Sequence, residues 1–298
     1  MTAVAEVGAA EAAPAAASAW RKTGRRLARN KLFMSGGAIV ILVALAALLA
    51  DVVTGIDPTR MHLRNRFTPP GHPRFLLGTD NFGRDMLSRM LYGARVSLRI
   101  GFAVVLVTGV LGTLIGALAG YHRRLDNPLM RVMDAFMAFP AILLAIAIAA
   151  ALGPSEINAI IALATVYTPR TARIVRASVL VVREMEYVEA IRAAGARDGR
   201  ILLVHILPNC LAPLIVQLTF IFAYAVLAEA ILSFLGVGPP PPTPTWGNII
   251  AEGRGYIREA FWITLIPGVA ISLTVLGLNL LGDGLRDVLD PRLKVASA

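Results

Sequence analysis

Long apolar runs alternate along the chain with short polar segments. A helix needs about 20 apolar residues to cross a hydrocarbon core of about 30 Å. Six runs approach or exceed this length, at residues 32–53, 96–120, 130–152, 157–176, 209–236 and 261–282. The pattern therefore predicts an all-α integral membrane protein with six transmembrane helices.

Residues 183–208, here called the polar insert, separate the fourth run from the fifth. The first part, 184–194, consists mainly of good helix formers, with apolar residues recurring on one side. These apolar positions are Met185, Val188 and Ile191. The spacing predicts a short amphipathic helix that ends at Gly195.

A second short helix is predicted in the remainder of the polar insert. Asp198 stands where it can cap that helix, and Pro208 stands where it can begin the fifth span. From the pattern alone, two roles stay open for the polar insert. It docks another protein, or it rests on lipid headgroups as an amphipathic connector.

Basic residues near the ends of the runs determine the predicted orientation. If the N-terminus is cytoplasmic, 19 of the 29 lysine and arginine residues fall on the cytoplasmic side. Eight of the other ten lie between Arg60 and Arg99, which weakens the bias without reversing it. Both termini and the polar insert are therefore predicted to be cytoplasmic.

Composition argues against several kinds of chemistry. Hydrophobic residues make up 56% of the chain, and the net charge of +10 is concentrated between apolar runs, which favours membrane orientation over nucleic-acid binding. No lysine follows a glycine, so the phosphate-binding loop G-x-x-x-x-G-K-[ST] is absent. Cys210 is the single cysteine, and the four histidines match no familiar metal-ligand spacing. We expect no catalytic residues, no metal site and no cofactor held by this chain.

Charged residues within the apolar runs are candidate functional positions. Glu229 in the fifth run is the candidate for a pathway or gate residue; the alternative is a position near the outer boundary. Arg170, Arg173 and Arg176 recur at every third position of the fourth run. They favour interfacial anchoring, with a voltage sensor as the rival interpretation, and Arg170 lies deepest.

Glycines and prolines predict how the spans pack. Gly112, Gly116 and Gly120 form a stripe on which a neighbouring helix can approach closely. Prolines inside or near the starts of later runs are expected to kink those helices. They are Pro140, Pro213 and Pro267. The sequence GVGPPPPTPTWGN at 236–248 predicts an extended outer loop.

The polar insert resembles the EAA loop of bacterial ABC importer permeases. The matching residues are Glu189 and Ala190, then Gly195, then Leu207 and Pro208. The sequence departs from the family pattern at two positions. Ile191 replaces the third-position alanine, and His205 stands where the pattern has isoleucine.

Three further segments are similar to the C-type permease subunits of dipeptide, oligopeptide and nickel importers. They are LGTDNFGRDMLSRMLYGARVSL (77–98), SFLGVGPPPPTPTWGNIIAEGR (233–254) and NLLGDGLRDVLDPRL (279–293). With the polar insert they account for nearly all of the chain from residue 75 to residue 293. This resemblance implies the type I ABC importer permease fold, with the polar insert forming a cytoplasmic coupling helix.

The resemblance also implies partners and a location. A homologous B-type permease would complete a heterodimer in the bacterial inner membrane, two cytoplasmic ATPases would bind ATP and Mg²⁺, and an extracytoplasmic protein would deliver peptides. The implied ATPase-coupling residues are Glu189, Ala190, Ala194, Gly195, Asp198, Leu207 and Pro208. The lipid bilayer is the remaining partner, and no nucleic acid is expected.

The predicted organisation has four parts. Residues 1–31 form a basic cytoplasmic tail that is partly disordered, 32–95 the first span and an extracytoplasmic loop, 96–285 the core, and 286–298 a cytoplasmic tail. Nickel or metal-chelate import is the alternative within the same family. A membrane-embedded hydrolase and an ion channel are the alternatives from other classes.

Overall fold

A computed structural model describes residues 16–289, with side chains from Thr23 onward. The helices are α1 (Ala16–Arg29), α2 (Lys31–Leu48), α3 (Ala50–Thr54), α4 (Met86–Tyr121), α5 (Arg123–Met137), α6 (Ala141–Leu152), α7 (Glu156–Arg183), α8 (Glu186–Ala193), α9 (Asp198–Arg200), α10 (Leu207–Phe234), α11 (Trp246–Gly253) and α12 (Trp262–Leu289). Within the described range the architecture is all-helical, as predicted.

Two helices refine the organisation predicted for the N-terminal part of the chain. Helix α1 occupies the second half of the predicted tail 1–31, and α4 begins at Met86, ahead of the predicted boundary at residue 95. The rest of that tail, 1–15, lies outside the described residues. So does 290–298, which holds most of the predicted C-terminal tail and the end of the segment 279–293.

Four helices in the described part of the chain are long and apolar enough to cross a membrane. They are α2, α4, α12 and a continuous helix, Asp198–Phe234, that contains α10. The pair α5 and α6 adds a fifth if it forms one bent span. Helix α7, which carries the three regularly spaced arginines, is not among them, so the predicted count of six is not confirmed.

The predicted third span at 130–152 is sharply bent, and the bend falls at Pro140, one of the prolines expected to kink a helix. Helices α5 and α6 meet at 88° across residues 138–140. Pro140 lacks a backbone N–H and disfavours helical geometry at Phe139, and it becomes the residue immediately before α6. The amphipathic α5 therefore diverges from the direction of the apolar α6.

The glycine stripe of α4 packs against α7, which confirms the predicted close approach. A Cβ atom on Gly112 would lie 2.5 Å from Thr171 Cβ, and one on Gly116 would lie 2.4 Å from the backbone oxygen of Ala172. The absence of side chains at these positions lets the two helix backbones come together. Helices α4 and α7 thereby form the central pair of the bundle.

Helices α2 and α12 approach each other in the same way. A Cβ atom on Gly36 would lie 2.6 Å from the backbone oxygen of Gly277, and one on Gly284 would lie 2.4 Å from the backbone nitrogen of Phe33. Helix α10 contacts both pairs, since it packs on α4, α7 and α12. It therefore links the pair α2 and α12 to the pair α4 and α7, and α2 also contacts α4 directly.

The two ends of the bundle differ in construction. The insert end carries α8 and α9, whereas the far end carries residues 56–85 and α11. At the far end, Trp246 Nε1 donates to Met90 O at 3.1 Å and Trp262 Nε1 donates to Thr79 O at 3.1 Å. The predicted extended loop at 236–248 is interrupted, because a capping box between Thr245 and Asn248 starts α11 at Trp246.

Candidate functional site

The polar insert forms a helix, a tight turn and a second helix. Helix α8 covers Glu186–Ala193, slightly shorter than predicted, and Gly195 follows it with a φ of +85°. The Gly195 N–H donates to Arg192 O at 3.0 Å and the Ala196 N–H to Ile191 O at 3.3 Å. A Cβ on Gly195 would meet nothing within 4 Å, so glycine is favoured here by backbone conformation and not by space.

Asp198 does not cap the second helix as predicted. It is the first residue of α9, Arg197 occupies the capping position, and no side-chain cap is formed there. The Asp198 carboxylate instead accepts a hydrogen bond from Tyr121 Oη at 2.5 Å. This hydrogen bond connects the polar insert to the end of α4. A partner so distant in the sequence cannot be inferred from the local pattern of residues.

Pro208 lies in the first turn of α10, as predicted, but no break separates that helix from α9. Residues Ile201–Ile206 form a π-helical segment that joins α9 to α10. The carbonyl oxygen of His205 accepts hydrogen bonds from Asn209 Nδ2 at 2.7 Å and from Tyr187 Oη at 3.1 Å. The second half of the polar insert is therefore an extension of α10, with α8 hydrogen-bonded to its side.

An apolar core lies beneath the polar insert. Val188, Ile201 and Ile206 are fully buried against the ends of α4, α7 and α10. Their neighbours in this core are Ala117, Val175, Val179, Val182, Cys210 and Leu214. Arg183 Nη1 also donates to Gly120 O at 2.8 Å, which links the last turn of α7 to α4. The polar insert is thus fixed to three helices at once.

The predicted coupling residues lie mostly on the outward face of the polar insert. Glu189, Ala190, Ala194, Gly195, Asp198 and Pro208 are exposed, whereas Leu207 is half-buried. On α8 the outward side consists of Glu186, Glu189, Ala190 and Ala193, opposite the buried Val188. Beside them a cavity of about 680 Å³ is lined by the turn around Gly195 together with Arg197, Arg200 and His205. This face can receive another protein chain.

Glu229 lies in the core between α4 and α10 and is fully buried. Its carboxylate accepts hydrogen bonds from Ser97 Oγ at 2.7 Å and from Ser233 Oγ at 2.6 Å. The proposed pathway or gate role stays a prediction. In this conformation the carboxylate reaches no surface, so such a role requires movement of α4 relative to α10.

Replacing Ser97 by alanine should therefore destabilise the protein. It removes one of two hydroxyl donors to a buried carboxyl group, which costs about 1.5–3 kcal/mol of unfolding free energy. Thermal unfolding of the detergent-purified chain would measure this loss. Threonine at the same position keeps the hydroxyl and serves as the control, so equal losses in both variants would contradict this role of Ser97.

Sequence reasoning missed a buried ion network at the far end. The Asp80 carboxylate contacts Arg84 Nε at 2.6 Å and Arg89 Nη1 at 2.5 Å, and Glu252 contacts both arginines. Asp80 and Arg89 have almost no exposed surface. Both family-like segments 77–98 and 233–254 contribute to it, but the pairing spans more than 160 residues along the chain.

Two known protein families match this chain. The family described as binding-protein-dependent transport system inner membrane component matches residues 112–295. The N-terminal TM domain of oligopeptide transport permease C matches residues 18–70. Together these two matches include the polar insert, α2 and α12.

Individual relatives match over most of their length. A putative peptide transport system permease protein of Brucella suis is 60% identical over 273 residues, covering 92% of each chain. The di/tripeptide transport system permease protein of Pseudomonas aeruginosa is 48% identical and covers 91% of each chain. The MetNI methionine ABC transporter in an inward-facing conformation has a TM-score of 0.56 at 23% identity, covering 66% of this chain and 94% of that one. This structural likeness confirms the predicted permease fold.

Proposed function

The chain belongs to the family of binding-protein-dependent transport system inner membrane components, and from this premise we propose that it imports di- or oligopeptides as one permease subunit of an ABC importer. The peptide class is supported by the names of its relatives. A homologous second permease would supply the other half of the pathway, and an extracytoplasmic binding protein would deliver the peptide.

One observation carries the coupling role: the polar insert is fixed to α4, α7 and α10 while its outward face stays exposed. A protein that pushes on α8 therefore moves helices of the bundle as well. A flexible loop on lipid headgroups would need neither the Tyr121–Asp198 contact nor the contacts at His205. This construction favours docking over resting on lipid.

Two partner ATPases are the proposed source of energy. They would hold ATP and Mg²⁺, since the sequence of this chain lacks the phosphate-binding loop. ATP shifts the importer between outward-open and inward-open states only if the ATPases bind the polar insert differently in the two states. The exposed residues around Ala190 and Gly195 are the part of the polar insert that the ATPases would contact differently in the two states.

Six spans remain the proposed membrane topology, with α7 as the sixth. Helix α7 packs along α4 and α10, which are apolar enough to span, and along α6, which belongs to a span if α5 and α6 form one bent span. The salt bridges Arg173–Asp134 and Arg176–Asp126 place the paired arginines at the insert end. Basic residues at this end support a cytoplasmic polar insert and cytoplasmic termini.

The alternative functions gain little from the structure. His62 and His72 would be the first candidates for nickel, but both imidazoles pack on the ring of Phe75, with centroids 5.9 and 5.7 Å apart. Arg173 and Arg176 are paired with carboxylates, an arrangement that suits anchors better than a moving voltage sensor. A membrane hydrolase has no support from Glu229, because that carboxylate is buried away from any surface.

Replacing Ala190 by tryptophan is expected to block coupling in the complete importer. The large side chain would project from the outward face of α8 into the ATPase interface while leaving the buried face unchanged. Because central interface contacts are worth about 2 kcal/mol or more, ATPase copurification and dipeptide uptake should each fall about tenfold or more. Uptake is measured in proteoliposomes with a radiolabelled dipeptide, and with Ni²⁺ in parallel for the unmodified importer.

Ala151→Trp is the matched control, since it adds the same side chain to an exposed alanine at the end of α6 away from the polar insert. It should keep ATPase binding. Full ATPase binding and uptake in the Ala190 variant would disprove the coupling role. Transport of Ni²⁺ and not of dipeptides by the unmodified importer would disprove the peptide assignment.

A further inference from the structure

Arg170 lies near the middle of α7, away from the polar ends of the bundle. Glu156 at the first turn of α7 pairs with Arg99 at 2.5 Å and marks the far end of that helix. Arg170 follows 14 positions later, which is about 21 Å along the helix axis. The paired Arg176 lies a further turn and a half towards the insert end. In the proposed six-span topology, the guanidinium group of Arg170 therefore sits near the middle of the bilayer.

The environment of Arg170 differs from that of the next two arginines. Arg173 and Arg176 each contact a carboxylate, at 2.5 Å in both cases. Within residues 23–289, no carboxylate lies within salt-bridge distance of Arg170. Its guanidinium instead lies 6.0 Å from the centroid of the Tyr224 ring, and both side chains are exposed. The positive charge is thus available to an anion that comes from outside this chain.

A cavity of about 440 Å³ opens at this position between α5, α7 and α10. Arg170, Gln217 and Tyr224 supply polar groups to its wall, and Phe220 and Ile174 supply apolar surface. Here it is called the Arg170 cavity. Volumes of about 300–1,000 Å³ with a few polar groups among apolar ones are typical of small-molecule sites.

Lipid is an unsuitable neighbour for this surface. An arginine exposed to hydrocarbon at mid-bilayer is costly, and such residues normally face a water-filled path or another protein chain. Both α7 and α10 also carry the polar insert, so the wall of the Arg170 cavity is built from the helices that coupling would move. The surface fits a transport pathway.

We propose that the Arg170 cavity is a site on the transport pathway that binds the C-terminal carboxylate of a peptide in transit. This inference rests on the proposed function. A guanidinium group binds a carboxylate through two parallel hydrogen bonds, and the Gln217 amide can both donate to and accept from a peptide group. A bare divalent cation would be repelled by the unpaired charge of Arg170, so the site favours peptides over Ni²⁺.

Uptake by the complete importer in proteoliposomes tests this site. The variants are Arg170→Met, Arg170→Gln and Arg170→Lys, and the substrate is radiolabelled dialanine loaded on the binding protein. Since hydrogen bonds to charged groups are worth about 1.5–3 kcal/mol, the Met and Gln variants should lose about tenfold in uptake. The Lys variant keeps the charge and should lose about threefold or less. Subunit assembly and ATPase activity stimulated by the loaded binding protein should stay within about twofold.

The ratio of dialanine imported to ATP hydrolysed separates the outcomes. Arg99→Ala, which removes the arginine of the Arg99–Glu156 pair, is the control and should keep this ratio. An unchanged ratio in both neutral variants would overturn the proposal. So would loss of subunit assembly in parallel with uptake, because Arg170 would then pair with a carboxylate of the second permease. Failure of the proposed function would be seen separately, as absence of dialanine uptake by the unmodified importer.

Discussion

Replacing Asp80 by alanine is expected to destabilise the far end of the bundle by about 3–5 kcal/mol, the usual cost of removing one partner from a buried ion pair. The Asp80 carboxylate contacts both Arg84 and Arg89, whose side chains are 6% and 2% exposed. Without Asp80, Glu252 alone faces two buried guanidinium groups. An uncompensated positive charge would then remain in the core.

Asp80 also shapes the loop before α4. Its Oδ1 atom accepts hydrogen bonds from the backbone N–H groups of Phe82 and Arg84, at 2.8 and 2.9 Å. The substitution therefore weakens the turn as well as the ion network. Because Glu252 belongs to α11, the contact between α11 and the start of α4 should loosen together with the loop.

Chemical unfolding of the detergent-purified chain, followed by tryptophan fluorescence, measures this effect, since Trp246 and Trp262 both lie in the same part of the structure. Asp51→Ala provides the matched control, because Asp51 of α3 pairs with Arg95, which lies on α4 like Arg89, but Asp51 is 62% exposed. Exposed pairs are worth about 1 kcal/mol or less, so this control should change little. Similar losses in the two variants would refute the structural importance of the Asp80 network.

Features that depend on local sequence were predictable. Helix α8, its end at Gly195 and the long apolar runs follow from periodicity, glycine conformation and length. Gly195 illustrates the reason, since its φ of +85° is a property of a few consecutive residues. Local signals of this kind need no knowledge of what packs on the other side.

The prolines show that local sequence does not decide which helix is interrupted. Pro140 separates two helices, whereas Pro169, Pro213 and Pro267 lie inside continuous ones. Pro169 and Pro267 are buried among neighbouring helices, but Pro213 is exposed, like Pro140, and its helix continues. Burial therefore does not separate the proline at the helix break from the three inside continuous helices. The position of a proline in the sequence likewise does not decide which helix breaks.

Long-range polar contacts were beyond sequence reasoning for the same reason. The local position of Asp198 suggested a helix cap. Its carboxylate instead accepts a hydrogen bond from Tyr121, which lies 77 residues away in the sequence. Glu229 was singled out because of its depth, its pathway role stays a prediction, and its hydrogen-bond partner Ser97 lies 132 residues away in the sequence. In both cases the hydrogen-bond partner that determines the environment of the carboxylate comes from α4.

Gly116→Val is expected to separate α4 from α7. A single Cβ at this position would already lie 2.4 Å from the backbone oxygen of Ala172 and 2.8 Å from Val175 Cβ. Backbone atoms cannot rotate aside as a side chain can, so the helices themselves must shift. Overpacking of a filled core costs about 1–3 kcal/mol and more where backbone must move, so we expect a loss near or above the upper value.

Transport should be affected beyond this loss of stability, because the same helix pair supports the polar insert. Val175 and Val179 belong both to the surface that the glycine stripe contacts and to the core under α8. Displacing α7 at Gly116 would therefore move the coupling surface relative to α4 and strain the Tyr121–Asp198 hydrogen bond. Peptide uptake should fall further than the amount of folded protein falls.

Gly109→Val isolates the cause, because it changes a glycine of the same helix two turns away. A Cβ on Gly109 would lie 3.2 Å from the end of the Leu218 side chain, which can rotate out of the way. Valine there should therefore cost much less unfolding free energy than valine at position 116, and uptake per folded importer should be retained. Equal effects at the two positions would contradict a specific role of the close contact at Gly116 in positioning the polar insert.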